Sequence, residues 1–583
     1  MIKINNLSYS FPQKDLYNNI SFKLDEGEHC AFIGSSGSGK STLIDIIMNP
    51  ENYVFDGSLE LDPNCKIGYI SQFSKLDKTK ETTVFEYLCE DYIKLQNEIT
   101  SICAEMETSS DMDTLLEKYQ EALDTLDATF GDDFESDLNK KLNLADLNNL
   151  KDLTISEISG GQFKLIQVIK EMLNRPNIII MDEPDVFLDF ENLNSLRNLI
   201  NSYKGITLVI THNRYLLNHC FNKIIHLENH ELQEFDGSYI DYNFSLLQTK
   251  IELQELAIID DEEIKRNEHL IKKLRDRAEI TGEPSAGRTL KARMKLQERL
   301  ETRRIKTPFV EIKQPYIHLT TNNSVEERIA LKVTGYCASF DEILLENVNF
   351  EIKSNDKVAI IGLNGTGKTT LLKDIYNNNN NNNNSAIEIA PDMKVAYLSQ
   401  VQGEILNESN TILEEFLEER FETYDEAASY LSNYDFDEEL INQKIESLSG
   451  GEKNILQLAK ISASKANMLL LDEPTSHLDT YSQMALEKAI EKYNGAILMV
   501  SHDYYSIVNC ADYVLLIEDK TIRKMNMKKF KKMIYANYFD KDYLEIEQKK
   551  KTVEMSIAIA LRNTDFERAK ALSEELESII KLL

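Results

Sequence analysis

The feature that most restricts how this chain can fold is that it is written twice, at two fixed distances. Gly34–Thr42 (GSSGSGKST) recurs as Gly362–Thr370 (GLNGTGKTT), and Tyr69–Gln72 (YISQ) recurs as Tyr397–Gln400 (YLSQ). Lys40 to Lys368 and Gln72 to Gln400 are both 328 positions. Further along, ISGGQ at Ile158–Gln162 pairs with LSGGE at Leu448–Glu452, and IIIMDEP at Ile178–Pro184 pairs with MLLLDEP at Met468–Pro474. Ser159 to Ser449, Glu183 to Glu473 and His212 to His502 are all 290 positions. Two constant offsets mean two copies of one domain. The difference between 328 and 290 puts 38 additional residues in the first copy, between Gln72 and Ser159.

Each copy opens with a short apolar run, Cys30–Ile33 and Val358–Ile361, that leads into G-x-x-x-x-G-K-[ST]. The spacing predicts strand, loop and helix. Glycines let the loop curl its N–H groups toward phosphate oxygens, and the following helix adds its positive end. The candidate phosphate cradles are therefore Gly34, Ser35, Ser36, Gly37, Ser38, Gly39, Lys40, Ser41 and Thr42, and Gly362, Leu363, Asn364, Gly365, Thr366, Gly367, Lys368, Thr369 and Thr370. The lysines would reach the terminal phosphates of ATP, and the hydroxyls of Ser41 and Thr369 suit a magnesium ion.

Asp182 and Asp472 end apolar runs and complete a metal-binding set with Ser41 and Thr369. The adjacent Glu183 and Glu473 are placed to polarise an attacking water. Gln72 and Gln400 offer neutral groups to metal and water, and His212 and His502 could sense the γ-phosphate. A lone histidine after a strand is commonly structural, but two at one fixed distance from DEP carry weight.

The formal net charge of −33 opposes general affinity for nucleic acid, so contact with RNA must reside in a particular segment. No run approaches the roughly 18 apolar residues of a membrane span, and no secretory signal opens the chain, which suits a cytoplasmic protein. Seven cysteines without C-x-x-C spacing read as buried free thiols rather than zinc ligands or disulfides.

Between the copies, Phe244–Ile280 lacks Gly and Pro and interleaves charge with Ile and Leu. It predicts one helix of nearly 40 residues, about 55 Å long. TGEPSAG at Thr281–Gly287 breaks it, and RTLKARMKLQERLETRR returns as the second arm of a projecting hairpin. From Ile264 to Lys306 fourteen Lys or Arg face six Asp or Glu. Positive charge gathered at the far end suits phosphate contact, and the candidates are Arg275, Arg277, Arg288, Lys291, Arg293, Lys295 and Arg299. The additional residues of the first copy read as a polar helical arm over 90–126. The asparagine run Asn377–Asn384 reads as a mobile loop.

The ordered set GxxGxGK[ST], glutamine, SGG[QE], apolar-DEP and histidine resembles the ATP-binding-cassette ATPases. That resemblance implies an α/β fold with two P-loop NTPase cassettes, over 1–242 and 324–539. A helical hairpin linker (243–323) would join them, and a charged helical extension (540–583) would follow. It implies that Ser159, Gly160, Gly161 and Gln162 close on the ATP held by Lys368, and Ser449, Gly450, Gly451 and Glu452 on that held by Lys40. Phe11 and Phe340 fall where the family stacks adenine. Two cassettes with an interposed basic hairpin look like the ABC-F branch, whose members act on the ribosome.

The branch implies a monomer whose cassettes pair internally, with the linker directed at ribosomal RNA and the P-site tRNA near the peptidyl-transferase centre. It also implies either protection of ribosomes from antibiotics or a housekeeping role in translation. The third alternative is the energy subunit of an exporter, which gives the basic hairpin no task. Departures from the family pattern concentrate in the first cassette: DEPDVFLD at Asp182–Asp189, Phe163 after ISGGQ, and THNR at Thr211–Arg214. They predict normal turnover at Lys368 and Glu473 and slower turnover at Lys40 and Glu183.

Overall fold

The computed structural model describes residues 1–582 except 12–13, 64, 73–81, 107–111, 132, 187, 282–290, 292, 298–316, 322–327, 340–342, 382–383, 401–404, 418–420, 422 and 539–542. Among the described residues nine strands build the first cassette: β1 (Ile2–Phe11), β2 (Lys14–Leu24), β3 (His29–Ile33), β4 (Asp56–Leu61), β5 (Ile67–Ile70), β6 (Ile178–Asp182), β7 (Ile206–Ile210), β8 (Lys223–Glu228) and β9 (Glu231–Asp236). The second repeats them as β10 (Ile329–Ser339), β11 (Ile343–Lys353), β12 (Lys357–Ile361), β13 (Ile387–Ile389), β14 (Val395–Leu398), β15 (Met468–Asp472), β16 (Ala496–Val500), β17 (Tyr513–Glu518) and β18 (Thr521–Asn526).

In each cassette a six-stranded sheet carries the site. Its order is β5-β6-β7-β3-β8-β9 in the first and β14-β15-β16-β12-β17-β18 in the second, parallel except for the last strand. The inner strands are covered on both faces and so read as continuous apolar runs; Ile178, Ile179, Ile180 and Met181 are fully buried. An antiparallel sheet, β2-β1-β4 or β11-β10-β13, closes the core over the helix that follows the phosphate loop. In open parallel sheets ligands bind beyond the carboxyl ends of the strands. Here those ends carry Gly34, Asp182 and His212, and in the second cassette Gly362, Asp472 and His502.

The additional residues of the first cassette form two helices, Glu90–Met106 and Met112–Thr129, joined by a small cluster of Ile102, Leu115 and Ala122. The asparagine run departs from the mobile loop expected of it. The helix Lys368–Asn381 continues into it, and buried Asn378 donates to the Ile387 carbonyl at 2.8 Å. A buried amide with a fixed partner is held in place.

The chain divides into two compact units. One contains both cassettes, Met1–Asp236 with Gln314–Ile534; the other is Gly237–Lys313 with Tyr535–Leu583. The boundaries between the units are at 237, 314 and 535. Buried Ile317 and Leu319 follow that second boundary, and the His318 carbonyl accepts from Tyr434 of the second cassette at 3.1 Å.

In the second unit the helix Tyr239–Thr281 runs 43 residues, about 65 Å at the α-helical rise. A helical segment over 293–297 returns along it: Asn267 donates to the Arg293 carbonyl at 3.1 Å and to Gln297 Oε1 at 2.8 Å. The C-terminal helices Tyr543–Arg562 and Phe566–Ile580 bury Val553, Ile557, Ala569 and Leu576 with Ile251 of the long helix.

Candidate nucleotide sites between the cassettes

Each phosphate loop is built by close approach. A Cβ on Gly34 would lie 2.2 Å from the Leu227 carbonyl oxygen, and Gly39, at φ 101°, starts the helix Lys40–Met48. Lys40 Nζ donates to the carbonyls of Gly34 and Ser35 at 2.9 Å each. Lys368 Nζ repeats this with Gly362 and Leu363 at 2.8 and 2.7 Å. Burial lowers the pKa of both ammonium groups; carboxylates led by Asp479 and Glu473 respectively oppose it.

Two cavities hold most of the candidate residues, and each is walled by both cassettes. One, of about 340 Å³, is lined by Phe11, Ser36, Gly37, Gly39, Lys40, Ser41, Thr42, Gln72, Glu183 and His212, with Ser449, Gly450, Gly451 and His477 facing them. The other, of about 530 Å³, is lined by Asn364, Gly365, Gly367, Lys368, Thr369, Thr370, Gln400, Asp472, Glu473 and His502. Ser159, Gly160, Gly161, Asp185, Val186 and Asn213 face those, and this cavity extends along the interface to Glu183 and His477. Phe340 lies outside the described residues; Leu344 is part of this cavity's lining.

SGG[QE] works as a helix start. Ser159 and Ser449 cap their helices with capping boxes closed by Gln162 and Glu452. These two side chains therefore hold the loop rather than line the cavities. The absent side chains of the glycines allow close approach: a Cβ on Gly451 would lie 2.8 Å from Ser36 Oγ, and one on Gly161 3.5 Å from Asn364 Nδ2.

Two residues the sequence reading missed join the cassettes. Asp189 Oδ1 accepts from Asn192 N–H at the start of its own helix, while Oδ2 accepts from Asn364 N–H of the opposite phosphate loop at 3.1 Å. Asp479 does the same with Ser482 and with Ser36 N–H, also at 3.1 Å. Both end the DEP segment of their copy, and their shared offset of 290 was the available signal. Ser35 is turned to other use, its N–H and hydroxyl donating to Glu228 at 3.1 and 2.9 Å.

Glu183 and Glu473 have left-handed backbone, φ 44° and 49°, each pinned by its N–H to the neighbouring strand, at Ile210 and Val500. Strain of this kind persists where the surroundings over-determine it. Burial works to raise the Glu183 carboxyl, but the His477 hydrogen bond and nearby positive charge, Lys40 included, outweigh it and leave it below its ordinary value. Glu473 is raised to about 8, by burial and then by Asp472. His212 falls to about 4 and His502 to about 3, both chiefly through burial and then through the nearby lysine. Both imidazoles are therefore neutral at pH 7.

Asp182 and Asp472 are raised by burial, with Ser41 and Thr369 hydroxyls donating to them. Asp472 Oδ1 is buried with no hydrogen-bond partner among the described residues. Two adjacent buried carboxylates, a hydroxyl and an orphaned oxygen suit a hard, oxygen-liganded cation such as Mg²⁺.

The departures of the first cassette do not all gather at its own phosphate loop. Asp185, Val186 and Asn213 line the cavity of Lys368, so they bear on the second cassette's ATP. Phe163 packs against Tyr87, ring centroids 5.7 Å apart, as part of the helical core.

The hairpin residues are placed unequally. Lys291 and Lys295 are exposed, while Arg293 is half-buried and donates to Asn267 Oδ1 at 3.4 Å. Arg275 and Arg277 lie on the long helix, their side chains outside the described residues; Arg288 and Arg299 lie wholly outside them. Among the described residues no helix is long and apolar enough to cross a membrane.

A family model described as ABC transporter matches residues 17–186 and 345–476. An uncharacterized ABC transporter ATP-binding protein of Bacillus subtilis, YfmM, is 29% identical over 87% of this chain and 96% of its own length. ABC transporter F family member 2 of Arabidopsis thaliana is 28% identical over 89% of this chain and 75% of its own. Among solved structures, the archaeal ribosome recycling factor aABCE1 in complex with the ribosomal stalk protein aP1 shares the fold. Its TM-score is 0.55 at 16% identity, over 91% of this chain and 92% of that one. The two matched segments lie one in each cassette and together make up more than half of the chain, so it belongs to the ABC transporter family, with the family's ATP-binding domain present twice.

Proposed function

We propose that this chain is an ABC-F ATPase that closes its cassettes on two ATP molecules and, in that state, holds a ribosome. The observation that carries the ATPase reading is the composition of the two cavities: each combines the phosphate loop of one cassette with the SGG loop of the other. ATP bound there would be contacted from both sides, and closure would depend on its γ-phosphate.

The residues divide the work as follows. Lys40, Lys368 and the loop N–H groups would bind the phosphates. Ser41 with Asp182, and Thr369 with Asp472, would hold Mg²⁺, which when bound neutralises phosphate charge. Glu183 and, once ionised, Glu473 would take a proton from the attacking water, and His212 and His502, as neutral imidazoles, can donate one hydrogen bond each. General bases of this kind contribute about 10²–10⁴-fold.

The ribosome reading rests on the linker. Exposed Lys265, Arg266, Lys272, Lys273, Lys291 and Lys295 stand on a hairpin within a chain of net charge −33. Such a patch would bind phosphate backbone with strong salt dependence. The finer reading keeps the linker directed at ribosomal RNA and the P-site tRNA, with protection of ribosomes from antibiotics bound near the peptidyl-transferase centre. Translation in extract with and without the protein, across a panel of such antibiotics, tests it: restored synthesis supports protection, and unaltered inhibition rules it out.

A further inference from the structure

The two DEP segments align at the 290-residue offset, DEPDVFLD with DEPTSHLD, and His477 therefore matches Phe187. His477 has φ 60° and packs over the signature loop of its own cassette. A Cβ on Gly450 would lie 3.2 Å from His477 Cγ, and one on Gly451 would lie 2.8 Å from the His477 carbonyl oxygen. That packing aims the ring across the interface. His477 Nδ1 lies 3.4 Å from Glu183 Oε2 and 3.2 Å from Gln72 Nε2, and Gln72 Nε2 donates to Glu183 Oε2 at 2.6 Å. Glu183 is thus gripped from two cassettes.

Glu473 is treated differently. His502 N–H donates to its Oε2 at 3.2 Å, and His502 Nε2 lies 3.6 Å from Oε1; both groups belong to its own cassette. Oε1 has no hydrogen-bond partner among the described residues. The side chain of Phe187 has no nitrogen or oxygen to offer.

We propose that His477 is a positioning residue acting in trans on Glu183, and that the two ATP sites turn over unequally, the Glu183 site faster. The proposal rests on the ATPase reading above. In the step concerned, a water oxygen bonds to the γ-phosphorus as the bridging P–O bond breaks. The electron pair leaves on ADP, and the water proton passes to Glu183. His477 touches none of these atoms; it holds the Glu183 carboxylate at the angle from which the water is met.

Single-turnover ATP hydrolysis on the full chain tests this in two backgrounds, Glu473→Gln, which retains Glu183, and Glu183→Gln, which retains Glu473. Glu473→Gln should keep the faster site. His477→Ala should slow it by about tenfold to hundredfold, the effect of losing a hydrogen bond to a charged group, with little change in the ATP concentration for half-saturation. The fall in the Glu183→Gln background should be far smaller. His477→Asn should recover part of the lost rate, and Phe187→His should accelerate the Glu473 site. Equal falls in both backgrounds, or no fall in either, would overturn the proposal while leaving the ATPase reading intact. Absence of hydrolysis by the unsubstituted chain would remove both.

Discussion

The guanidinium of Arg214 in the first cassette donates to the Asp503 carboxylate of the second at 2.7 Å, and the same Nη2 also pairs with Glu487. All three side chains are nearly buried. Burial works to lower the guanidinium pKa, but the charges and hydrogen bonds of Asp503 and Glu487 together outweigh it and hold it above its ordinary value. The position matching Arg214 in the second cassette is Tyr504, so this ion cluster is not repeated there.

Breaking a buried ion pair from one side leaves uncompensated charge, at a cost of about 3–5 kcal/mol. Arg214→Ala should therefore lower the thermal midpoint markedly. A variant that also carries Glu487→Gln and Asp503→Asn should regain much of the loss, because no buried charge is left unpaired. Scanning calorimetry of the two variants decides it; equal losses would mean that unpaired buried charge is not what destabilises Arg214→Ala.

The C-terminal helices carry a prediction for the linker. Ile557 is fully buried among Ile251, Val553, Ala569 and Leu576. Ile557→Ala should cost about 2–5 kcal/mol and raise hydrogen exchange over Tyr239–Thr281, with ATP binding by the cassettes retained. Unchanged exchange in that helix would show that the C-terminal pair does not support it.

Thiol reactivity follows from burial. Cys103 and Cys337 are exposed, contrary to the expectation of uniformly buried thiols, while Cys30, Cys89, Cys220 and Cys510 are buried. Burial raises the Cys89 thiol to about 11 and the Cys220 thiol to about 12, and the thiolate is the reactive form. A disulfide reagent at pH 8 should consume two thiols quickly, Cys65 more slowly, and the other four only on unfolding. Rapid reaction of all seven would contradict this packing.

What could be read from the chain was what phosphate chemistry demands within one copy. Lys40, Ser41, Asp182 and Glu183 are legible because binding and hydrolysis call for those groups at the ends of strands, and their spacing places them there. Of the groups that act across the interface, the SGG loops were expected from the family resemblance, and the rest were hidden. Asp189, Asp479, Arg214 and His477 sit in ordinary sequence positions, and spacing along the chain does not tell which opposite loop each meets. For the same reason it was not legible that Asp185 and Val186 of DEPDVFLD line the cavity of Lys368. The asparagine run misled because composition was read without the helix that enters it, and the C-terminal helices gave no sign of their packing partner, Ile251.

The most direct test of the central claim is ribosome pelleting with the Glu183→Gln/Glu473→Gln chain. With both bases removed, bound ATP should keep the cassettes closed. The account predicts that the double variant sediments with ribosomes only when ATP is present, and that raising salt releases it as the basic linker loses its phosphate contacts. If it stays in the supernatant at every ATP and salt concentration, while still binding ATP, the ribosome is not its partner.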